Sequence, residues 1–352
     1  MSNIINNTES LSYDDVLLIP QYSDIRSRAE VSTKTDLGNG LVLDVPIIAS
    51  PMDTISEAAM AIAVGGVGGC AIIHRYNSIE MQARMVTTAR DVGYSKHNKD
   101  INIGAAVGIS GDFIERSAAL VHAGVNFICV DVAHGHHVLM KEALCRLRQH
   151  FGEELHIMAG NVATLDGIND LADWGADSVR CNIGGGSICS TRVQTGHGIP
   201  GLQTIIDCAK TDRSVTIIAD GGLRNSGDMV KAMACGADAV MCGSLLSGTN
   251  ETPGKIIEEP NGTRWKTYRG MASKEAQVNW RGKYSSYEGV AARVPYRGSV
   301  VKILEDLERG IRSGFSYSGA RTLTEFQSVA QLIRQTPAGM GESKTHILGR
   351  EW

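Results

Sequence analysis

Residues 184–192, "GGGSICSTR", set a cysteine on almost bare backbone. The thiol of Cys189 has two readings. It is a nucleophile, flanked by hydroxyls and with Arg192 in the same loop to favour a thiolate, or it is a small packing residue, the commoner fate of cysteine. The glycines open backbone angles closed to other residues, so the loop can turn its amides to an anion or its carbonyls to a hard cation. Two further turns, in "IIADGG" (217–222) and "VMCGS" (240–244), offer glycines and a hydroxyl. Free N–H groups at a helix start would bind a phosphate dianion there; the alternative is a pair of tight turns with no ligand. In "DVAHGHH" (131–137) three histidines crowd together, but on a loop with no acidic or thiol partner at a recognised interval they do not describe a metal site. Asp131 is the better ligand-contacting residue of that stretch.

Something must carry these loops to one place. Short apolar runs recur at 45–50, 68–74, 101–107, 126–131, 155–160, 176–182, 215–220 and 237–243, with helical periodicity in most of the gaps. The runs are apolar throughout rather than alternating, as parallel strands covered on both faces are. Eight such units predict an α/β protein with a (β/α)8 barrel. A doubly wound sheet is the rival, but the first strand lacks the GxGxxG turn that fold usually shows. The phrases "VHAGVN", "ADWGAD" and "MACGAD" repeat one αβ loop, with glycine expected at a left-handed helix end. In a barrel the chemistry lies at the carboxyl ends of the strands. Those ends hold Ser50 to Asp53, His74-Arg75, Asp131, Asn161, the cysteine loop, Asp220 to Gly222 and Gly243-Ser244.

Residues 1–44 form a lead-in, and 249–298, charged and rich in turns, interrupt the last βα unit as a flap. We expect one catalytic domain over 1–352. The 352 residues are 43% hydrophobic and 20% charged with net charge −4, so a large core is within reach. The absence of a Lys/Arg-rich block argues against a nucleic-acid or membrane-surface partner. No apolar run reaches the roughly 18 residues of a membrane span. The eight cysteines contain no CxxC pair, and the first residues lack the order of a signal peptide, so a reducing cytoplasmic setting is expected.

At this point the residues resemble a family. "LSYDDVLLIP" (11–20), "PIIASPMDT" (46–54), "AGNVAT" (159–164), "GGGSICSTR", "IIADGGLRNSGDMVKA" (217–232), "VMCGSLLSGT" (240–249) and "YRGM" (268–271) are similar to the IMP dehydrogenase/GMP reductase family over nearly the whole chain. The resemblance implies a (β/α)8 barrel, commonly tetrameric. It implies that Cys189 attacks C2 of a purine nucleoside monophosphate and that a hydride passes between C2 and a nicotinamide. Ser187, Asp220, Gly222, Gly243, Ser244 and Tyr268 would hold the ribose phosphate. Ser50, Met52, Asn161, Gly270 and Met271 would line the purine and ribose pocket. Asp131 and Ala133 would face the nicotinamide, and Thr191 with Glu288 would handle proton transfer near C2. The carbonyls of Gly184, Gly186 and Cys189 match a potassium loop, although Gly185 stands where the family has proline and Asn182 where it has glycine.

Two branches of the family divide the features. The chain lacks the paired regulatory module that dehydrogenases usually insert near position 95. Its flap has Lys283-Tyr284 where they carry an Arg-Tyr pair that activates water, and lysine lacks the guanidinium fork. "DVAHG" and "IRSRAEV" also look like reductases. "IASPMDT", "GAAVGI", "EGVAARVPYRG" and the tail "PAGMGESKTH" (337–346), which resembles the stretch completing a neighbour's potassium site, look like dehydrogenases. The expected activity is GMP reductase with NADPH; the alternatives are an IMP dehydrogenase using NAD and a non-catalytic nucleotide-binding barrel. A flavin barrel would share the phosphate loops but have no use for Cys189.

Overall fold

The apolar runs become eight parallel strands: β1 Ile47–Ala49, β2 Cys70–Ile73, β3 Asn102–Val107, β4 Phe127–Asp131, β5 His156–Val162, β6 Ser178–Cys181, β7 Thr216–Asp220 and β8 Ala239–Cys242. The computed structural model describes residues 9–284 and 287–343. The strands close into a barrel, β8 pairing with β1 through Cys242 and Ala49. Eight helices alternate with them: α1 Ala58–Gly66, α2 Ile79–His97, α3 Phe113–Ala123, α4 Val138–Phe151, α5 Leu165–Asp173, α6 Gly201–Cys208, α7 Ser226–Ala234 and α8 Val300–Tyr317. This is the expected (β/α)8 architecture.

The strands are apolar on both faces because both faces are covered. Ile47 and Ala49 pack outward among the helices, while Ile48 points into the barrel beside Ile72, Phe127, Met158, Ile218 and Met241. The N-terminal mouth is plugged by Leu37, Leu41 and Leu43, carried by a hairpin of Thr35–Asp36 and Val42–Leu43. Each buried leucine there contributes roughly 1.5–3 kcal/mol. The repeated αβ loop also holds: Gly124, Gly175 and Gly236 have φ of 94°, 108° and 108°. A Cβ on Gly124 or Gly175 would strike an arginine of the preceding helix, Arg90 or Arg148, at 2.7 Å. Those arginines donate to the Ala123 and Gly175 carbonyls at 2.8 Å, satisfying helix ends that would otherwise be bare.

β5 runs two residues past its expected end. Its register against β6 shifts between Gly160 and Val162, leaving Asn161 unpaired on a bulge at the barrel's carboxyl rim. Bulges re-aim one side chain without ending the strand. After β8, Ile257–Glu258, Arg264–Arg269 and Ala291–Pro295 form a three-stranded antiparallel sheet, with a helix at Lys274–Arg281. Among the described residues no helix is long and apolar enough to cross a membrane.

Candidate active site

The carboxyl ends of the barrel strands surround a cavity of about 470 Å³. All the residues to which the resemblance gives a substrate, cofactor, proton-transfer or potassium role line it, from Ser50 and Met52 after β1 to Ser244 after β8, together with Tyr268, Gly270, Met271 and Glu288 of the flap. Asp53, His74, Arg192 and the histidines of 131–137 do not. The lining residues arrive from the ends of several strands and from the flap, so the rim assembles what is spread over most of the chain.

Cys189 is exposed to the cavity, unlike five of the chain's other cysteines, which are buried. Its thiol donates to Thr191 Oγ1 at 3.1 Å, and that hydroxyl donates to Glu288 Oε2 at 2.7 Å. Sulfur, hydroxyl and carboxylate therefore form a continuous path for a proton. Backbone contacts hold it in place. Ser190 N–H donates to the Glu288 carbonyl at 2.9 Å, and Val290 N–H to the Ile188 carbonyl at 3.0 Å. Gly270 and Gly289 make this close approach possible, since a Cβ on Gly270 would meet Gly289 Cα at 3.4 Å. Arg192 takes no part. Contrary to the expectation of a thiol–arginine neighbourhood, its guanidinium donates to the Ile199 carbonyl at 2.7 Å, and its stem packs over Gly184 and Gly198.

A second polar cluster lies across the cavity. Asp220 Oδ2 accepts from Asn161 Nδ2 at 2.8 Å and from Arg180 Nη2 at 2.8 Å, and Arg180 Nη1 donates to Asp131 Oδ1 at 2.6 Å. Arg180 is buried, and the carboxylates on either side hold its pKa well above the usual value against the cost of burial. Sequence reasoning passed over it, although a charged residue inside the run "ADSVRCN" was a usable signal. The other oxygen of Asp131 faces the Arg75 guanidinium, 3.9 Å from its Nε, and the other oxygen of Asp220 accepts neither of these bonds.

At the β7 and β8 ends, Gly221 and Gly222 have φ of 78° and 76°. They lie against the cysteine loop, where a Cβ on Gly222 would meet the Gly185 carbonyl at 3.1 Å. The start of α7 is served by side chains of the chain itself. α7 is already capped by Asn225, and its first-turn Asp228 accepts from Arg224. The glycine turns line the cavity instead. Gly243 is hemmed in by Tyr268, Met52 and Ser50, whose atoms would lie 2.8, 3.1 and 3.4 Å from a Cβ there. Burial pushes the Tyr268 phenol up to about 12, against the pull of a hydrogen bond with Ser187.

Two of the three histidines are used locally: His136 pairs with Asp170 at 2.7 Å, and His137 caps α4. Of the tail, Pro337–Glu342 forms a short helix; residues 344–346 lie outside the described residues. Beyond Asp131 a second cavity of about 420 Å³ shares Arg75, Val132 and Arg281 with the first and is also lined by Arg116 and Trp280. Trp280 stacks on Tyr76 with ring centroids 5.8 Å apart. Arg75 Nε is buried there with no hydrogen-bond acceptor.

Comparison with known proteins agrees with this geometry. The family described as IMP dehydrogenase / GMP reductase domain matches residues 10–346. The chain is 33% identical to the inosine-5'-monophosphate dehydrogenase of Nitrosopumilus maritimus over 469 aligned positions, covering 96% of this chain and 98% of that one. It is 35% identical to that of Borreliella burgdorferi over 396 positions (96% and 97%). With the GMP reductase of Leishmania major it shares 30% over 481 positions (97% and 98%). Alignments of that length exceed the 352 residues present, so the relatives carry segments this chain lacks. Among solved structures, a GMP reductase from Trypanosoma brucei in complex with guanosine 5'-monophosphate superposes with a TM-score of 0.89 at 30% identity, covering 96% of this chain and 98% of that one.

Proposed function

The chain belongs to the IMP dehydrogenase/GMP reductase family, and from that premise we propose that it is a GMP reductase, converting GMP to IMP and ammonia with NADPH. The family consists of NAD(P)-dependent oxidoreductases of purine nucleotides. The observation that carries the reductase reading is the occupant of the position next to the thiol. Glu288 reaches Cys189 through Thr191, whereas Lys283 and Tyr284 are exposed and outside the cavity lining. The Lys274 ammonium lies over the Tyr284 ring, 4.6 Å from its centroid.

In this reading the Cys189 proton passes through Thr191 to Glu288 as sulfur bonds to C2 of the purine. The same proton returns along the path to the 2-amino group, and the C2–N bond breaks to release ammonia. A thioimidate remains on Cys189, with atoms balanced: one S–H and one C–NH2 become one S–C and one NH3. Asp220 and Asn161 position the ribose, and Ser187, Gly222, Gly243, Ser244 and Tyr268 hold the phosphate. Reduction of C2 by the hydride that a bound nicotinamide cofactor would supply breaks the C2–S bond and returns Cys189 as its thiolate. Asp131 and Ala133 border the nicotinamide ring position. The adjoining cavity fits the rest of a dinucleotide, with Arg75, whose Nη2 already donates to the Asp131 carbonyl at 3.3 Å but whose Nε has no acceptor, and the exposed Arg281 favouring a phosphorylated ribose. Potassium fits the carbonyls of Gly184, Gly186 and Cys189 in type, the Gly186 oxygen keeping a lone pair beyond the 3.0 Å bond it accepts from Cys189 N–H. A homotetramer in the cytoplasm completes the reading.

The second reading, an IMP dehydrogenase acting with NAD, is favoured by the names of the relatives from Nitrosopumilus and Borreliella. Purified protein given GMP with NADPH, then IMP with NAD, separates the two by nicotinamide absorbance. Loss of absorbance with the first pair is expected. Turnover of the second pair alone overturns the reductase reading, and turnover of neither leaves a nucleotide-binding barrel.

A further inference from the structure

The two departures from the family's loop pattern, Asn182 for glycine and Gly185 for proline, occupy each other's space. A Cβ placed on Gly185 would lie 2.2 Å from Asn182 Nδ2 and 2.7 Å from its Oδ1, far inside contact distance. A side chain at 185 cannot coexist with this carboxamide where it stands. The backbone that carries the carboxamide is also fixed from below. Asn182 is 4% exposed, its N–H donates to the Val162 carbonyl at 2.9 Å, and its own carbonyl accepts from Asn161 Nδ2 at 3.0 Å. Both partners sit at the bulged end of β5. Nδ2 then reaches across to the Gly221 carbonyl at 3.3 Å, in the turn whose glycines touch Gly185 and Gly186. Oδ1 is buried with no donor, so the residue is held there by shape and by its amide rather than by complete pairing.

We propose that Asn182 is a positioning residue for Cys189: its side chain wedges beneath Gly185 and ties the cysteine loop to the phosphate-side turn. Three consecutive glycines leave the loop free to adopt many backbone states, and a proline at 185 would remove that freedom by its ring. Here the restraint comes from a neighbouring side chain instead. Because Nδ2 bonds the same turn that holds the nucleotide phosphate in the proposed reaction, the wedge couples phosphate binding to the aim of the thiol. The inference rests on Cys189 being the reacting thiol, and it is indifferent to which of the two reactions follows.

A double-substitution cycle tests it. Gly185→Pro alone collides with the carboxamide, Asn182→Gly alone removes the wedge, and the pair together makes room for a proline that restores stiffness. Each single variant is expected to lose about tenfold in kcat with KM for nucleotide within about threefold, and the double variant to recover to within about threefold of wild type. In parallel, the rate at which iodoacetamide alkylates Cys189 should shift at least about threefold in each single variant and return in the double. A Gly185→Pro protein as active as wild type, or a double variant no better than the worse single, overturns the proposal. If wild type turns over neither substrate pair, the functional reading fails while the alkylation rates still decide this one. Alkylation rates unchanged across the four proteins would then sink it.

Discussion

The Thr191 hydroxyl donates to the Glu288 carboxylate at 2.7 Å across 97 positions of sequence, and accepts from the Cys189 thiol at 3.1 Å. One residue of the barrel loop and one of the flap are thereby joined into a single proton path. If that path serves the departing amine, Glu288→Gln and Thr191→Ala should each lower kcat about 100- to 1,000-fold with little change in nucleotide KM. Because they act in series, the double variant should be scarcely worse than either single. Steady-state kinetics of the three proteins decides it, and additive losses would show that the two residues act separately.

Tyr268 illustrates a different contribution. Its phenol is held up to about 12 by burial, so it stays a neutral O–H donor through the ordinary working range. Tyr268→Phe should raise nucleotide KM about tenfold and leave kcat within about twofold, the mark of binding equal in ground and transition states. The wild-type KM should show no break from phenol ionisation between pH 8 and pH 10 in roughly the range where an ordinary tyrosine begins to titrate. A fall in kcat instead would place this hydroxyl in the chemistry.

Arg180 sits buried between Asp131 and Asp220, at 2.6 and 2.8 Å. Removing it strands two carboxylates, so Arg180→Met should cost about 3–5 kcal/mol in urea unfolding. Arg180→Lys keeps the charge but not the fork that reaches both acids. It should cost less in stability and still lose about tenfold in kcat as Asp220 and Asn161 shift. Full activity in the lysine variant would reduce Arg180 to charge neutralisation.

The eight strands were legible because their apolar runs answer a simple demand, burial on two faces. The αβ glycines were legible because three phrases repeat one conformational need. The loops at the rim followed from strand order alone. Other features depend on contacts between distant segments, which local pattern does not record. The bulge at Asn161 arises from β5–β6 register, and the barrel plug Leu37, Leu41 and Leu43 rides on a short hairpin of the lead-in whose place beneath the barrel no local pattern records. Arg192 looked like the thiol's neighbour because it is near in sequence, yet loop geometry sends it to Ile199. Glu288 came from resemblance, since nothing in "YSSYEG" marks it apart from other flap acids.

Asp238 gives the chain a pH signature away from the site. Burial raises its carboxyl to about 6, although it accepts the Ile217 N–H at 2.7 Å. Its folded pKa lies above the unfolded value near 3.8, so between about pH 4 and 6 the native state holds a proton the unfolded chain has released. Its contribution to stability is therefore present below that window, lost as pH rises through it, and flat above. Asp238→Asn should flatten this part of the profile and gain on the order of 1–3 kcal/mol at pH 7. Urea midpoints from pH 4.5 to 7.5, compared between the two proteins, give the answer; parallel curves would clear Asp238 of the effect.

The flap is fastened to the barrel by Asp53 and Arg269. Nη2 of Arg269 donates to Asp53 Oδ2 at 2.6 Å and Nε to the same oxygen at 3.1 Å, while the Arg269 N–H donates to Thr54 Oγ1 at 3.1 Å. The side chains are only 8% and 17% exposed, so solvent screens the pair weakly and its loss frees the strand that carries Tyr268 into Gly270 and Met271. Arg269→Gln should loosen that strand and move kcat and nucleotide KM together, by about tenfold each, because both depend on flap closure. Trypsin reports the same opening directly. Lys283 is exposed on the flap, and its cleavage should accelerate at least about threefold in the variant, with nucleotide restoring protection only at higher concentration. Wild-type cleavage rates with impaired kinetics would mean that Arg269 acts on the nucleotide pocket itself and that something other than this ion pair fastens the flap.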